Sequence, residues 1–492
     1  MERYNLFIDG RQTPPNSDRW FDSDNPFTAE PWAEIARGDA VDVDRAVRAA
    51  HQAFIQGAWP AMSASQRGLL LHRLGDRIAA EAARLAAIEV RDNGKLYSEM
   101  HAQLQYLPQW YYYYGGLADK LQGSVIPLDK KGYFNYTRQE PLGVVAIITP
   151  WNSPLMLLAW KLAPALAAGC TVVIKPSEFT SASTLAFVEL LGDVGFPPGV
   201  VNVVTGFGAE VGSPLVEHPL VRKITFTGSD TTGRHINVQA AREFKHVSLE
   251  LGGKSPNIIF EDADIASAVN GAVSGIFAAS GQTCIAGSRL LVQDSVHDAV
   301  VEKLLALARS ATMGDPMEAG TQVGPITTRP QYEKVLSYID IALADGARLV
   351  LGGAAATRPA CGKGWFVEPT VFTDVHNSMR IAQEEVFGPV LSVIRFKDEE
   401  EAIAIANDVR FGLGAGVWTS DIGRAFRMSE RIQSGTVWVN TYRAVSYMSP
   451  FGGYKDSGIG RENGLDAVNE YVQTKSVWIN TGAASGNPFV IR

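Results

Sequence analysis

The chain has 492 residues, of which 46% are apolar and 20% are charged, and its net charge is −8 at pH 7. This length is too great for one ordinary core and predicts two or three domains, while the composition is typical of a folded globular protein. An acidic chain without a prominent basic cluster is not expected to bind nucleic acid.

Cysteine content and apolar stretches bear on the compartment. The sequence has an odd number of cysteines without metal-ligand spacing, namely Cys170, Cys284 and Cys361. This pattern predicts reduced thiols, a cytoplasmic location and no metal site. The N-terminus lacks the apolar core of a signal peptide, and the longest apolar stretch, 154–174, contains Lys161. We expect that stretch to form a buried helix and a strand, not a membrane span.

Two helices are predicted in the first hundred residues from their end signals. Asp42 precedes a run of apolar residues at helical spacing and is expected to cap the first helix. Ser63 and Gln66 form a capping-box pattern before a long helix, which we expect to stop at Gly94.

From about residue 143, strands and helices alternate, which predicts a parallel sheet with helical crossovers. The predicted strands of this sheet are 143–149, 171–175, 200–204, 222–227 and 256–260. After Cys284 the alternation begins again and predicts a second α/β domain. Its predicted elements are strand 289–293, helices 297–310 and 331–344, strand 348–352, helix 399–408 and strand 436–440.

The heptapeptide GQTCIAG, residues 281–287, is the strongest candidate for a reactive site. It places Cys284 among small and polar residues with a glycine at each end, which lets the backbone approach a bound molecule. A thiol can be an attacking group where it is held as a thiolate or loses its proton to a base. The alternative is a small core residue, because free cysteine is often buried.

Two further side chains are candidates for the same chemistry. Glu250 lies at the end of an apolar strand, two residues before the glycine pair Gly252 and Gly253, and is a candidate general base. Asn152 follows a break at Pro150 after an apolar run, and its amide could donate a hydrogen bond to an oxyanion. The alternatives are a surface charge for Glu250 and a turn residue for Asn152.

Two glycine-containing segments are candidates for a phosphate site. The segment 206–212, GFGAEVG, lacks the usual dinucleotide spacing. The segment 226–233, FTGSDTTG, follows a predicted strand and opens a predicted helix, where free amide groups favour a pyrophosphate near Gly228 and Ser229. The alternative for the second segment is a helix capped by serine.

At this point the sequence resembles the aldehyde dehydrogenase superfamily. The resemblance covers nearly the whole chain, from residue 4 to residue 479, and its motifs occur in the family's order and at its spacing. The motifs are PWN (150–152), VVIKPSE (172–178), FTGS (226–229), ELGGKSP (250–256), GQTC (281–284), EEVFGPV (384–390) and PFGGYKDSG (450–458).

The resemblance implies an α/β fold of three parts. A Rossmann-like cofactor domain with a parallel sheet is expected from 1–120 and 142–252, and a second α/β catalytic domain from 253–456. Residues 121–141 and 470–492 are expected to form a small projecting oligomerisation sheet, reached through a returning segment, 457–469. Because the strand 471–479 is apolar-rich, it needs a partner, and we expect a homo-oligomer, a dimer or a dimer of dimers.

The resemblance also implies the binding residues. NAD is the expected cofactor, with NADP less favoured because Glu178 would meet a 2′-phosphate. The expected cofactor-binding residues are Trp151, Lys175, Glu178, Gly208, Gly228, Ser229, Leu251, Glu385 and Phe387. A tunnel for a small-molecule aldehyde is expected from Tyr106, Trp110, Leu157, Trp160, Thr283, Ile285, Arg443 and Val445, although each of these could be an ordinary core residue.

Three activities are compatible with these residues. The first is oxidation of an aldehyde to an acid, in which Cys284 forms a thiohemiacetal and then a thioester, Asn152 holds the oxyanion and Glu250 activates water. The second is transfer of the acyl group to coenzyme A, although relatives of that type usually lack the glutamate at the position of Glu250. The third is a non-catalytic NAD-binding relative, which would be expected to have lost one of the three residues.

Arg443 is a candidate for substrate selection. The resemblance puts it near the outer mouth of the tunnel, two positions before Val445. An arginine there could bind a carboxylate through two hydrogen bonds and favour aldehydes with a distal acidic or strongly polar group. The alternative is an ion pair with an acidic residue across a subunit contact, which contributes only about 0–1 kcal/mol.

Overall fold

The structure is a computed structural model, and it describes residues 1–482 and Phe489. Two large sheets flanked by helices make up most of the chain, and the fold class is α/β. None of the helices among the described residues is long and apolar enough to cross a membrane. Part of the predicted oligomerisation sheet, residues 483–488 and 490–492, lies outside the described residues.

The first sheet has eight strands, and its five central strands run parallel. A hairpin from the N-terminus extends one edge in antiparallel fashion, and a short strand from near the C-terminus borders the other edge. In spatial order the strands are Gly458–Ile459, His246–Glu250, Val221–Thr227, Val144–Ile148, Thr171–Lys175, Val201–Val203, Leu6–Ile8 and Arg11–Thr13.

The second sheet has seven strands, of which only the first in spatial order is antiparallel to its neighbour. In spatial order they are Arg348–Leu351, Thr370–Thr373, Val390–Phe396, Arg289–Gln293, Pro256–Ile259, Gly414–Trp418 and Thr436–Val439. The first sheet therefore draws on both 1–120 and 142–252, whereas the second lies within 253–456.

Helices cover both faces of each sheet. Separate apolar clusters lie on the two faces of the first sheet, and two more lie on the faces of the second. The helices around the first sheet are Ala40–Ile55, Ala58–Ala61, Ala64–Asn93, Tyr97–Tyr106, Pro108–Leu117, Pro154–Ala168, Ala182–Val188, Leu190–Val194, Ser213–Glu217 and Asp230–Arg242. Those around the second are Ile265–Phe277, His297–Arg309, Arg329–Ala344, Arg380–Gln383, Glu399–Asn407 and Ile422–Arg431.

Three small sheets complete the fold of the described residues. One has three strands near the N-terminus, Glu2–Tyr4, Glu30–Ala36 and Trp20–Asn25. A second pairs Phe411–Gly412 with Tyr454–Lys455. The third, which we call the arm, is an antiparallel ribbon of Tyr133–Pro141 and Val472–Asn480.

The helix-end predictions are confirmed in one case and wrong in the other. Ser63 and Gln66 form the capping box of the long helix, which ends at Gly94 in the left-handed conformation. Asp42 does not cap the first helix, because Asp39 accepts the first-turn amide hydrogen bonds and the Asp42 carboxylate accepts the reciprocal bond from the Asp39 amide. A carboxylate three residues into a helix can mimic a cap in the sequence.

One strand was assigned to the wrong sheet. The predicted strand 256–260 is present as Pro256–Ile259, but it pairs with two strands of the second sheet. The fifth parallel strand of the first sheet is instead His246–Glu250. The glycine pair that follows Glu250 is the point at which the chain leaves the first sheet for the second.

Candidate active site

A long cleft lies at the carboxyl ends of the parallel strands of the first sheet, where α/β sheets commonly bind ligands. It has two lobes, with volumes of about 500 and 140 Å³. The lobes are continuous, because five residues line both of them: Pro150, Trp151, Thr227, Gly228 and Ser229. We call the larger one the outer lobe and the smaller one the inner lobe.

Cys284 is partly exposed and lines the inner lobe, together with Asn152. The turn that precedes it is strained, since Ala279 and Ser280 have φ angles of 53° and 51°. Gly281 is required there, because a Cβ atom would lie 2.1 Å from the Gly388 carbonyl oxygen. Strain of this kind is maintained by the surrounding structure and is common at functional sites.

Burial, with the negative charges of Glu385 and Glu250, raises the pKa of the Cys284 thiol to about 12. The thiol is therefore protonated at neutral pH in this state of the protein. It must lose its proton to a base, or gain a positive neighbour, before it can attack a substrate.

Asn152 is held against the segment that leads into Cys284. Its amide Nδ2 donates a hydrogen bond to the backbone oxygen of Gln282 at 3.0 Å, and its side chain is buried. A carboxamide nitrogen carries two hydrogens. One hydrogen is thus used to orient the group, and the second is available to a ligand in the inner lobe.

Glu250 is buried at the end of its strand, and its Oε2 has no hydrogen-bond partner among the described residues. Burial and the nearby Glu462 carboxylate raise the Glu250 pKa well above its usual value, whereas Lys161 and Arg461 act in the opposite direction. A carboxyl group whose pKa is raised in this way is suited to accept a proton near neutral pH.

The outer lobe holds the polar residues predicted for one half of a dinucleotide. Lys175 donates to the Pro176 carbonyl oxygen at 2.9 Å and lies 3.4 Å from the Glu178 carboxylate. Ser229 caps the helix Asp230–Arg242 through the Thr232 amide. Gly208 also lines this lobe, and a Cβ atom there would meet nothing within 4 Å.

The inner lobe ends at Glu385 and Phe387. Glu385 accepts a hydrogen bond from the Gly253 amide at 2.9 Å, and Phe387 has a left-handed φ angle of 58°. The Phe387 ring stands edge-on to Trp151, with 5.2 Å between the ring centroids. Leu251 lines the same lobe.

Three of the residues predicted for the tunnel, Tyr106, Trp110 and Trp160, form an aromatic wall that reaches the surface. Trp110 stacks on Trp160, and Tyr106 contacts Trp110 edge-on, with ring centroids 6.1 and 5.2 Å apart. The buried members share one apolar cluster, against which Cys284 packs, and are Trp110, Leu157, Trp160 and Ile285. Tyr106 and Val445 are exposed, at 39% and 36%.

Among the residues predicted for the tunnel, two polar atoms are buried without a hydrogen-bond partner among the described residues, the indole nitrogen of Trp160 and the Thr283 hydroxyl. Thr283 directly precedes the reactive thiol. Buried polar groups without a partner are rare in proteins and often mark a place where a ligand or water binds.

Arg443 pairs within its own chain. One of its guanidinium nitrogens donates to the Ser274 carbonyl oxygen at 3.0 Å, and another lies 3.8 Å from the Glu99 carboxylate. The turn that carries it is fixed on both sides, because Tyr442 donates to the Ile285 oxygen and Trp438 to the Ala444 oxygen.

Several residues that contact or influence the site were not predicted. Lys161 and Glu462 form a buried ion pair whose charges act on Glu250, and Lys254 is a buried lysine whose pKa burial and Arg289 lower to about 7. A lysine inside the apolar stretch 154–174 was the one available signal. The other partners are distant in sequence.

Comparison with known proteins establishes the family. The sequence model of the aldehyde dehydrogenase family matches residues 13–477. The chain therefore belongs to the aldehyde dehydrogenase family and is an oxidoreductase that acts on the aldehyde group, as the sequence motifs predicted.

Relatives and solved structures cover almost the whole chain. The (Z)-2-((N-methylformamido)methylene)-5-hydroxybutyrolactone dehydrogenase of Acinetobacter baylyi is 47% identical over the full length of both chains. An NAD+ complex of a Bacillus cereus aldehyde dehydrogenase is 44% identical, with a TM-score of 0.95 and 97% coverage of each chain. An NAD+ complex of Staphylococcus aureus betaine aldehyde dehydrogenase is 40% identical, with a TM-score of 0.97 and coverage of 99% and 97%.

Proposed function

We propose that this enzyme oxidises an aldehyde to a carboxylic acid with NAD+, through a thioester on Cys284 that is hydrolysed by water. The observation that carries the proposal is the position of Cys284 in the inner lobe, beside Asn152 and Glu385, in a cleft that continues into the outer lobe with its Lys175 and Glu178 side chains. One ligand with two halves can therefore extend from the outer lobe to the thiol.

The residues of the cleft fit a dinucleotide. The hydroxyls of Thr149 and Thr227 line it and have no hydrogen-bond partner among the described residues. Lys175 and Glu178 would hold the adenosine ribose, and the amides at Gly228 and Ser229 would bind the pyrophosphate. At the other end, Glu385 would hold the second ribose, and Trp151, Leu251 and Phe387 would border the nicotinamide.

Cys284 begins the reaction by giving its proton to a base, for which Glu250 is the candidate, and adding its sulfur to the aldehyde carbon. The carbonyl oxygen becomes an oxyanion that accepts hydrogen bonds from the Asn152 side chain and the Cys284 amide. Loss of one such donor typically lowers turnover by about 100–1000-fold. NAD+, when bound, supplies the acceptor for the hydride that leaves the same carbon.

The thioester that remains on Cys284 is hydrolysed with the help of Glu250. Glu250 first releases to solvent the proton that it took from Cys284. Its carboxylate then takes a proton from water, and the resulting hydroxide adds to the thioester carbon. The carbon–sulfur bond then breaks, releasing the acid and the Cys284 thiolate. The buried position of Glu250 and its raised pKa suit this role.

Substitution of the nucleophile tests the proposal. Cys284→Ala should lower the appearance of reduced nicotinamide with aldehyde by more than about 1000-fold, while NAD+ still quenches tryptophan fluorescence. Cys361→Ala, which alters a buried cysteine outside the cleft, is the matched control and should leave turnover unchanged. Turnover of Cys284→Ala within tenfold of the unaltered enzyme would exclude Cys284 as the nucleophile.

Coenzyme A separates hydrolysis from acyl transfer. The presence of Glu250 supports hydrolysis, so the rate and the free acid formed should not depend on added coenzyme A. Formation of an acyl-coenzyme A product would instead support the transferase, and failure to reduce NAD+ with any aldehyde would support a non-catalytic role.

We extend the proposal to assembly, domains and compartment. The arm carries exposed apolar side chains, which supports a homodimer or a dimer of dimers. The distribution of strands between the two sheets supports a cofactor domain of 1–120 and 142–252 and a catalytic domain of 253–456. A catalytic thiol must remain reduced, and the three cysteines are free, which supports the cytoplasm.

The substrate we propose is an aldehyde with a distal carboxyl group. Arg443 lies on a turn fixed to Ile285, next to the thiol, and its ion pair with Glu99 is long at 3.8 Å. A 5-hydroxybutyrolactone, part of the name of the Acinetobacter relative, is the ring-closed form of a four-carbon aldehyde acid. A guanidinium near the tunnel mouth would bind the carboxylate of such a compound.

A further inference from the structure

Lys95 is a buried cation close to the oxyanion donor and unused by the proposed chemistry. Only 2% of its surface is exposed, and its Nζ donates to the hydroxyl of Ser153 at 2.9 Å. Ser153 directly follows Asn152 and stands at the start of the helix Pro154–Ala168. An ammonium group costs free energy to bury, so its place in this position needs a compensating role.

Lys95 belongs to a closed circuit of hydrogen bonds that we call the Asn152 ring. The Lys95 amide donates to the Asn93 side chain at 2.9 Å, and the Asn93 carbonyl accepts from the Thr327 hydroxyl at 2.6 Å. The Thr327 amide donates to the Gln282 side chain at 2.9 Å, and the Gln282 carbonyl accepts from Asn152 at 3.0 Å. Ser153, which is joined to Asn152 by a peptide bond, closes the circuit by accepting a hydrogen bond from Lys95.

The ring joins segments that are distant in sequence. It connects the end of the long helix and the Asn152 turn with the segment before Cys284 and the loop at Thr327. All six of its members are buried, and they are Asn93, Lys95, Asn152, Ser153, Gln282 and Thr327. A buried network in which the partners are satisfied holds its side chains in one arrangement.

The charge of Lys95 acts on the reactive thiol as well. Burial is the main influence on the Lys95 pKa and lowers it, as does Arg443, whereas Glu99, Glu89 and Cys284 act in the opposite direction. The effect is reciprocal, so a protonated Lys95 stabilises the Cys284 thiolate. It opposes the influence of Glu385 and Glu250, the two carboxylates that make the thiol harder to ionise.

We propose that Lys95 is a positioning residue for aldehyde oxidation: through Ser153 it fixes the turn that presents Asn152, and its charge favours the thiolate of Cys284. The proposal rests on the function proposed above. It assigns two separable effects to one side chain, one transmitted through the ring and one through space.

The alkylation rate of Cys284 measures the charge effect of Lys95 in the absence of aldehyde and cofactor. The rate of reaction with iodoacetamide follows the thiolate fraction, and it can be measured at about pH 8.5 by mass spectrometry of the Cys284 peptide. Lys95→Met should lower this rate by about tenfold, as expected for loss of a nearby opposite charge. Lys95→Arg, which keeps the charge, should restore most of it.

The Ser153→Ala variant tests the positioning effect of the Asn152 ring separately from the charge effect. It removes the acceptor of Lys95 but keeps the charge, so kcat should fall by about tenfold or more while the alkylation rate stays within twofold. Lys245→Met is the matched control, because Lys245 is a buried lysine that does not itself line the cleft and donates to the Val216 and His218 carbonyl oxygens. This variant should change neither kcat nor the alkylation rate of Cys284.

Two outcomes overturn the proposal. An alkylation rate in Lys95→Met within twofold of the unaltered protein removes the charge effect, and if that variant does not fold, slow alkylation in Lys95→Arg does the same. An unchanged kcat in Ser153→Ala removes the positioning effect. If the unaltered protein oxidises no aldehyde, the proposed function fails, but the alkylation rates still decide the charge effect.

Discussion

Lys161 and Glu462 form an ion pair that is almost completely buried, and both charges act on the carboxyl group of Glu250. Glu462 raises the Glu250 pKa, and Lys161 lowers it. The ionisation of the candidate general base therefore depends on a pair of residues that lies outside the cleft lining.

Glu462→Gln should move the acid limb of the pH–kcat profile to lower pH. The substitution removes a negative neighbour that raises the Glu250 pKa, so this pKa falls and the base form of Glu250 persists in more acidic solution. The expected shift is about one pH unit. Glu470→Gln, which removes a more weakly acting carboxylate, should give a smaller shift in the same direction.

The stability of Glu462→Gln must be measured together with its pH–kcat profile. A buried charge without its partner typically destabilises a protein by about 3–5 kcal/mol, so thermal unfolding should be recorded at each pH. An acid limb that stays in place in folded Glu462→Gln would show that Glu250 is not the group that titrates.

The preference for NAD over NADP should depend on Glu178. Its carboxylate would repel a 2′-phosphate, and we expect kcat/KM to favour NAD by at least about tenfold. Glu178→Gln should reduce this ratio, whereas Glu189→Gln, a surface change near the N-terminal hairpin, should not. Steady-state kinetics with both cofactors is the measurement. A clear preference of the unaltered enzyme for NADP would contradict the assignment.

Arg443→Ala should change the choice of aldehyde. Three aldehydes of equal length, ending in a carboxylate, a methyl or a trimethylammonium group, separate charge from size. We expect KM to rise about tenfold for the carboxylate only, since a charged hydrogen bond is lost. Glu99→Gln should act in the opposite direction, because it frees Arg443 from its ion pair.

The Arg443→Ala experiment needs a control variant at another arginine. Arg329→Ala alters an exposed arginine that pairs with Glu333 and should leave all three KM values unchanged. Equal changes for the three aldehydes in Arg443→Ala would make Arg443 a structural residue of the turn.

The arm should be needed for assembly. Its strands pair over nine residues, and the apolar side chains of Phe134, Trp478 and Ile479 are exposed on it. Replacing Trp478 and Ile479 with lysine should lower the molar mass measured by light scattering. Ile422→Lys, at an exposed apolar position on a helix of the second domain, is the control. An unchanged mass in the double variant would remove the arm from the subunit interface.

Local signals predicted the elements that depend on local chemistry. The capping box at Ser63, the stop at Gly94 and most of the alternating strands and helices were confirmed. The strand Gly414–Trp418 was missed because two of its five residues are glycines, which are poor strand formers. The structure explains Gly416, where a Cβ atom would lie 2.5 Å from the ring of Tyr442.

In the candidate site, too, features with local sequence signals were predicted and features that depend on distant contacts were not. Cys284, Glu250 and Asn152 are recognisable from their neighbours in the sequence. The ring that orients Asn152 is not, because its bond to Gln282 spans 130 residues and the bond from Lys95 to Ser153 spans 58. Such contacts depend on how the two sheets pack, which no local pattern records.

The short strand Gly458–Ile459 has a consequence for synthesis of the chain. It pairs with Leu249 and Glu250, and the Ser457 hydroxyl donates to the Gly252 oxygen at 2.7 Å. A ribosome therefore makes the strand that carries Glu250 roughly two hundred residues before its outer neighbour, a delay of about 10–40 s at common translation rates. During that interval the strand has a free edge, so a nascent chain of this enzyme is exposed to misassembly at the position of its candidate general base.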